Sequence, residues 1–515
     1  MKATDLPLYY NAIDILERNL AGRANKTAIF SAEREMTFGQ VAAEANQVAN
    51  ALRRLDVRPG ERVGILSPDC SQWVTSFFGI VKSGAISVGI NTLLKPHEHL
   101  YILRDSQARA LIIHAALLPA IESIRDQLDF LKHVIVIGGK GREGDLTFAD
   151  WVGGESTEFT AANAHRDDWC SLNYSSGTTG EPKGILHAHK DYPITSQLWG
   201  VDVLGLRESD RAFGAPRLFF TFGTGGVLIF PFYVGASTVL MAAPPRIATN
   251  MLDTIVRFKP TILYNAPTGY AAMLAMDDLT TKYDLSSLRL CVSAGESLPA
   301  PIWQGWKDRT GLDIIDGIGS TENFHIFISN RPGDIRPGSS GKPFPGYDVK
   351  LVDENGAEVP RGEVGNLLVK GETATLFYLH QDARSRKTFL GEWLFTGDKY
   401  YVDEDGYYWH AGRSDDMLKV GGIWVSPVEV ESTLISHPAV LECAVVGVAD
   451  SSNLIKPKAY VVLKEGNEPS EKMKDALVAH CKEKMAEYKR PRWIEFVPEL
   501  PKTATGKIQR FKLRS

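Results

Sequence analysis

The stretch "NYSSGTTGEPKG" (173–184) has the makings of an anion cradle. Ser175, Ser176, Thr178 and Thr179 supply hydroxyl donors, Gly177, Gly180 and Gly184 let backbone N–H groups turn inward, and Lys183 adds a counter-charge. It is not the G-x-x-x-x-G-K-[ST] loop of kinases and GTPases, because Pro182 precedes the lysine and Gly184 follows it. Taken alone, the string fits a phosphate loop and a Ser/Thr/Gly-rich surface turn about equally well. Four other strings place reactive side chains close together: "DGIGSTENFH" (316–325), "WLFTGDKYYVDEDGYYWHAGRSDD" (393–416), "KVGG" (419–422) and "PKTATGK" (501–507). The imidazoles of "HAH" (187–189) have no carboxylate or cysteine at metal-ligand spacing and read as a strand or turn after the loop.

The elements that must position these strings follow from pattern. At 515 residues the chain exceeds one core, so two or more domains are expected. The 44% hydrophobic and 23% charged composition is that of a globular protein, and a net charge of −5 gives no electrostatic reason for nucleic acid or an anionic membrane as partner. "MTFGQVAAEANQVANALRRL" carries a Thr37-x-x-Gln40 capping box and apolar Val41, Ala45, Val48 and Leu52, which predicts a helix with one buried face. "RVGILS", "AISVGI", "ALIIHA" and "HVIVIG" are short strand-like runs between such helices, and the alternation recurs in "TILYNAPTGYAAML" and "LRLCVSAGESLP". This predicts α/β sheets covered by helices. After about residue 410 a smaller module follows, with a helix opened by Ser426, Pro427 and Glu429, short strands and the helix "SEKMKDALVAHCKEKMAEY". Residues 218–245 carry no charge and are long enough to span a membrane, but Gly223, Gly225, Gly226, Pro231 and Gly235 divide them, so a buried helix start and a core strand are expected. The N-terminal residues lack a secretory signal, and five scattered cysteines without a C-x-x-C pair suggest reduced thiols in a cytoplasm.

The order and spacing of the five strings, from about Tyr9 to Arg510, resemble the adenylate-forming acyl-CoA synthetase superfamily; "FFTFGTGG" and "GSTENFHIF" look most like its benzoate-CoA ligase branch. The resemblance implies a large multi-subdomain N-terminal α/β domain with the adenylate-forming enzyme fold (1–414) and a small mobile α+β C-terminal domain (415–515). It also implies a carboxylate that attacks the α-phosphate of Mg·ATP, and a CoA thiol that then displaces AMP. On that basis Ser175, Ser176, Gly177, Thr178, Thr179, Gly180 and Lys183 would hold the departing phosphates. Glu322 would ligate Mg2+, which takes few protein carboxylates, and Thr321 would donate to the α-phosphate. Asp316, Gly317 and Ile318 would face the nucleotide, with Ile318 standing where many relatives carry an adenine-stacking tyrosine. Asp398 and Arg413 would grip the ribose; the plain alternative is a turn cap and a surface pair. Lys507 matches the family's catalytic lysine, an ammonium between two anions that must meet. Asp415 matches the hinge, and Lys419, Gly421 and Gly422 would line the pantetheine path.

The same resemblance places Thr221, Phe222, Phe230, Ala294, Gly319, His325 and Ile326 around the acyl group, a flat apolar slot in which His325 could donate to the substrate carboxylate. The two phenylalanines could instead be plain core. "RLFFTFGTGG" has no carboxylate for an amino acid's ammonium, which argues against an amino-acid substrate. Thr221 and Phe222 stand where plain benzoate leads one to expect Ala-Tyr, so a hydroxyl or amino ring substituent is within the expectation. Benzoate or a hydroxy- or amino-benzoate is the expected acid. A stand-alone enzyme loading a carrier protein, a medium-chain acyl-CoA ligase and a non-catalytic nucleotide-binding scaffold are the rivals. The expected cofactors and partners are ATP, Mg2+, CoA and a small aromatic acid, in a cytoplasmic monomer or homodimer that engages no nucleic acid or membrane, with a lysine acetyltransferase and deacetylase as further candidate partners at Lys507.

Overall fold

The computed structural model describes residues 1–177, 180–414, 416–420, 423–450, 454–502 and 508–514. Among these residues the strands form five sheets. The first runs in the order Leu146–Thr147, His133–Ile137, Ala110–His114, Arg62–Leu66, Ile86–Gly89, Trp169–Gly177 and Gly180–Ala188. All pairs are parallel except the last, an antiparallel hairpin at the sheet's edge. The predicted runs "RVGILS" through "HVIVIG" are its inner strands. Their near-continuous Val/Ile/Leu character is what a parallel strand buried on both faces requires. The helix Phe38–Arg54 is capped at Thr37 as the sequence pattern predicts, with Gln40 N donating to Thr37 Oγ1 at 3.2 Å and Thr37 N to Gln40 Oε1 at 2.9 Å. Its stripe of Val41, Ala45, Val48 and Leu52 is fully buried, and it packs on the helix Ser71–Ser83.

The second sheet holds the parallel strands Ile314–Gly319, Leu290–Ser293, Ile262–Asn265, Arg211–Gly214, Ser237–Leu240 and Thr27–Ser31, flanked by antiparallel edges. "DGIGSTENFH" leaves this sheet at the carboxyl end of a strand, where open α/β sheets bind ligands. The uncharged stretch forms one buried helical run, Thr221–Gly223, Thr224–Ile229 and Phe230–Tyr233, followed by the core strand Ser237–Leu240. The middle piece is π-helical, as is Ser196–Val201, which it contacts. No helix among the described residues is long and apolar enough to cross a membrane.

A third, antiparallel sheet pairs Trp393–Val402 with Gly365–Gly371 and with Tyr408–Arg413. Beyond it lies the smaller C-terminal unit. The hairpin Leu418–Val420 and Ile423–Val425 and the sheet Val440–Ala449, Ile455–Leu463, Trp493–Phe496 support the helices Pro427–Ile435 and Glu471–Lys484. Ser426 caps the first helix, accepting from Glu429 N at 3.2 Å. Alternation along the strands separates two small cores. Val445 and Val461 face Leu434 and Leu477 on one side, while Ala444, Val446 and Tyr460 meet Leu500 on the other. All five cysteines are buried, with free thiols.

Candidate functional site

The anion-cradle string is the edge hairpin. Trp169–Gly177 and Gly180–Ala188 place Ser175 opposite Lys183. Ser176, Gly177 and Gly180 lie in these strands, while Thr178 and Thr179 fall outside the described residues. Ser175 Oγ is buried and has no hydrogen-bond partner among the described residues. Such an atom carries an uncompensated desolvation cost, which a phosphate oxygen would remove. Lys183 Nζ lies 2.9 Å from Glu322 Oε1 and 3.3 Å from the Tyr378 hydroxyl, and 4.8 Å from the centroid of the Tyr378 ring.

Glu322 sits in a single 3-10 turn, Thr321–Asn323, capped by Ser320 Oγ accepting from Asn323 N at 3.2 Å. Burial raises the Glu322 carboxyl, but the Lys183 charge and the hydrogen bonds from Lys183 and Tyr378 outweigh it and hold the group at about 2. The result is an ionised, 92%-buried carboxylate, a group of the kind that could hold a hard divalent cation. The turn is tied down from two sides. Thr375 N donates to Glu322 O at 2.8 Å, and His187 Nε2 meets Thr321 O at 2.7 Å. His187 Nδ1 in turn pairs with Asp191 Oδ2 at 3.0 Å. This corrects the reading of "HAH": a carboxylate does stand beside it, four residues on, and it orients His187 toward the turn. His187 itself lies in the strand Gly180–Ala188 as expected, and His189 in the turn after it. Phe324 follows at φ +68, a conformation bulky residues rarely adopt, and this reversal delivers His325 to the next wall.

His325 is buried among the rings of Phe230 (4.7 Å between centroids), Trp199 (4.8 Å) and Phe222 (5.4 Å). Burial lowers its imidazole to about 3, so it is neutral at physiological pH. Nε2 lies 3.4 Å from Phe222 O, and Nδ1 has no partner among the described residues. Thr221, Phe230, Ala294 and Ile326 are buried as well, and Phe222 packs partly buried against the same core. The close approach of the rings depends on glycine. A Cβ on Gly225 would stand 2.6 Å from His325 Cδ2 and 2.9 Å from Phe230 Cζ, and one on Gly319 would collide with His325 O. Trp199 Nε1 and Tyr264 OH, beside this cluster, are likewise buried without partners among the described residues.

Asp398 and Arg413 face each other across the antiparallel strands, with Arg413 Nη1 3.0 Å from Asp398 Oδ1. Burial would raise the Asp398 carboxyl, but Arg413 and His410 hold it far below the usual carboxylate range. His410 Nε2 is 3.6 Å from Asp398 Oδ1, and its Nδ1 meets Ser297 Oγ at 2.9 Å. Asp316, at the end of its strand with Gly317 and Ile318, is pushed up to about 8 by burial, and its Oδ1 lacks a partner among the described residues. Tyr400 lies within electrostatic reach of both Asp398 and Asp316. Ile318 is half-buried against the main core.

The structure therefore brings Lys183, Thr321, Glu322 and His325 into one connected cluster and pairs Asp398 with Arg413. Lys507, Asp415, Gly421 and Gly422 lie outside the described residues, and Lys419 is placed only as a member of the strand Leu418–Val420. Sequence reasoning missed Tyr378, His410, Asp191, Trp199 and Tyr264. For Asp191 the i+4 spacing from His187 was available as a signal; the others meet the site only through long-range contacts.

The chain is similar to known proteins along its whole length. The AMP-binding enzyme family matches residues 16–379, and the AMP-binding enzyme C-terminal domain matches residues 429–507. A benzoate–CoA ligase of Thauera aromatica is 47% identical over 517 residues, covering 100% of this chain and 97% of that protein. A 4-hydroxybenzoate–CoA/benzoate–CoA ligase of Rhodopseudomonas palustris is 39% identical over 98% of this chain and 94% of its own length. Among solved structures, an anthranilate CoA ligase in complex with anthranoyl-AMP is 69% identical with a TM-score of 0.97, covering 100% of this chain and 98% of that one. A benzoate CoA ligase from Burkholderia xenovorans LB400 is 41% identical with a TM-score of 0.91, covering 98% of this chain and 100% of that one. With the family pattern spanning most of its length and full-length relatives well above 30% identity, the chain belongs to the AMP-binding enzyme family.

Proposed function

We propose that this chain is an AMP-forming aryl acid:CoA ligase whose preferred acid is anthranilate, 2-aminobenzoate. The observation that carries the choice of acid is the 69% identity over the whole chain to an anthranilate CoA ligase. The pocket supports it: aromatic walls suit a planar ring, and the polar atoms of Trp199, Tyr264 and His325 that lack partners among the described residues suit a substituent and a carboxylate on that ring. The acid's carboxylate oxygen attacks the α-phosphorus of ATP, the bond to pyrophosphate breaks, and the CoA thiol then forms the thioester as AMP leaves.

Ser175, Ser176, Thr178, Thr179 and Lys183, with the backbone at Gly177 and Gly180, hold the β- and γ-phosphates. Glu322 holds Mg2+, which when bound neutralises phosphate charge. Thr321 donates to the α-phosphate; His187 fixes its carbonyl and with it the turn. Asp398 and Arg413 take the ribose hydroxyls. Asp316 meets the polar edge of adenine, where a carboxyl poised near neutrality can donate or accept, and Gly317 and Ile318 form the flat support. Thr221, Phe222, Phe230, Ala294, Gly319 and Ile326 enclose the ring, and neutral His325 donates to its carboxylate. Lys507 stands between carboxylate and α-phosphate. The next residue, Ile508, donates its N–H to Glu296 Oε1 at 2.9 Å, which supports this assignment. The domains divide at 414/415 with Asp415 as hinge, and Lys419, Gly421 and Gly422 line the CoA path. Buried free thiols accord with a cytoplasmic enzyme, monomeric or homodimeric, in which acetylation of Lys507 would switch off adenylation.

The test is AMP release with Mg2+, ATP and CoA across anthranilate, benzoate, the hydroxy- and other aminobenzoates, cyclohexanecarboxylate and linear acids. Release dependent on both CoA and an aromatic acid, fastest with anthranilate, is expected. Pyrophosphate exchange without CoA-dependent turnover would move the assignment to a carrier-loading enzyme, and a preference for linear acids would refute the aryl pocket.

A further inference from the structure

The segment 378–381 belongs to none of the strings that drew attention in the sequence, yet it grips the base of the phosphate hairpin on both sides of Lys183. Leu379 N donates to Gly184 O at 2.9 Å, Gln381 Nε2 donates to Pro182 O at 3.1 Å, and Tyr378 forms an isolated bridge with Ile185. From this anchored backbone the Tyr378 hydroxyl donates to Glu322 Oε1 at 2.8 Å. The phenol has little freedom. Tyr378 is 97% buried, its ring packs on Phe389 at 5.1 Å, and its own N–H is taken by Ser385 Oγ at 2.9 Å.

We propose that Tyr378 is a positioning residue that holds Glu322 in place for the divalent cation. The inference rests on the functional reading above and deepens it. That reading gives Lys183 to a phosphate and Glu322 to Mg2+, while the two are paired at 2.9 Å here. A lysine that turns to phosphate must leave the carboxylate, and a buried carboxylate without a fixed partner loses its orientation. A neutral phenol is not repelled by an incoming cation and need not move. Both hydrogen bonds land on Oε1, so Oε2 carries neither of them. Tyr378 thus remains on one oxygen throughout, and because its backbone is bonded around Lys183, the phosphate hairpin and the metal turn are set to a common frame. Partners of this kind around a ligating carboxylate govern metal affinity by about 10- to 100-fold.

The experiment uses the full chain with Tyr378→Phe, which keeps the ring and deletes the hydroxyl. Mn2+ binding is read by electron paramagnetic resonance of the free ion, with a non-hydrolysable ATP analogue present. Both half-reactions are then measured: adenylation against metal concentration, and thiolation of supplied acyl adenylate. The expected result is Mn2+ affinity weakened about tenfold or more, adenylation restored by raised metal, and wild-type thiolation. Unchanged or tighter Mn2+ binding in the variant overturns the assignment, as does an equal fall in both half-reactions. A wild-type enzyme that releases no AMP with any aryl acid removes the functional reading and this assignment together, whereas active wild type with an unaltered variant removes this assignment alone.

Discussion

Replacing Lys183 with methionine should invert the pH dependence that Glu322 imposes on stability. In the folded chain the carboxyl is held at about 2 against an ordinary 4.5. At about 1.36 kcal/mol per unit, that depression corresponds to about 3 kcal/mol. Because the folded value lies below the unfolded one, this stability is fully present above pH 4.5 and is lost as pH falls toward 2. In Lys183→Met the opposing terms change places. Burial, already the largest influence on Glu322, loses its main counterweight, and the folded carboxyl rises above 4.5. Stability then falls as pH rises through that range, since the unfolded chain ionises first. With an unfolding entropy of about 2.1 cal/mol/K per residue over residues 1–414, a loss of about 3 kcal/mol lowers Tm by about 3.5 °C. Thermal unfolding of wild type, Lys183→Met and Lys183→Met/Glu322→Gln at pH 4.5, 6 and 8 reads this directly. The single variant's deficit should widen from pH 4.5 to 8, and the double variant should lose that widening. A deficit of the same size at every pH would refute the reasoning, because it would mean that packing of the lysine stem matters and its charge does not.

Lys507→Ala should slow adenylation by about 10²–10³-fold, the scale of one lost electrostatic contact to a developing charge, while thiolation of supplied acyl adenylate is largely kept; separate half-reaction assays decide it. His325 sits at about 3 against 6.5 for a free imidazole, so the unfolded chain gains a proton first as pH falls below 6.5. Stability therefore declines by about 1.4 kcal/mol per pH unit from this group on the acid side, and His325→Gln should flatten a Tm-versus-pH curve by one proton. Gly225→Ala forces a methyl to 2.6 Å from His325 Cδ2; overpacking of about 1–3 kcal/mol is expected, together with a raised KM for the aryl acid and an unchanged KM for ATP.

Local chemistry made much of this protein legible in advance. The Thr37/Gln40 and Ser426 caps, the strand runs and the interrupted apolar stretch each depend on residues within a turn of one another, and each forms as the pattern implies. Thr321 and Glu322 drew attention through the resemblance of their string, while the 3-10 turn that carries them was not anticipated. What escaped notice depends on sequence-distant packing. Tyr378 reaches Glu322 across 56 residues and His410 reaches Ser297 across 113, so no window of sequence contains both partners. The phosphate string was read as a loop, whereas most of it is paired strand, because register between two strands is set by the sheet beneath them.

The π-helical wall carries a consequence for how the pocket can change. A π turn holds one residue more than an α turn, so Thr224–Ile229 is in effect an insertion stored inside a helix. Each residue advances a helix by about 100°. A deletion in a plain α run would turn everything after it by that angle, whereas one within Thr224–Ile229 would let the run relax to α geometry and leave Phe230 near its present bearing. The wall can therefore lose one residue beside His325 without turning the helix that follows, so the slot can change locally in length, a route to new acid preferences distinct from side-chain replacement.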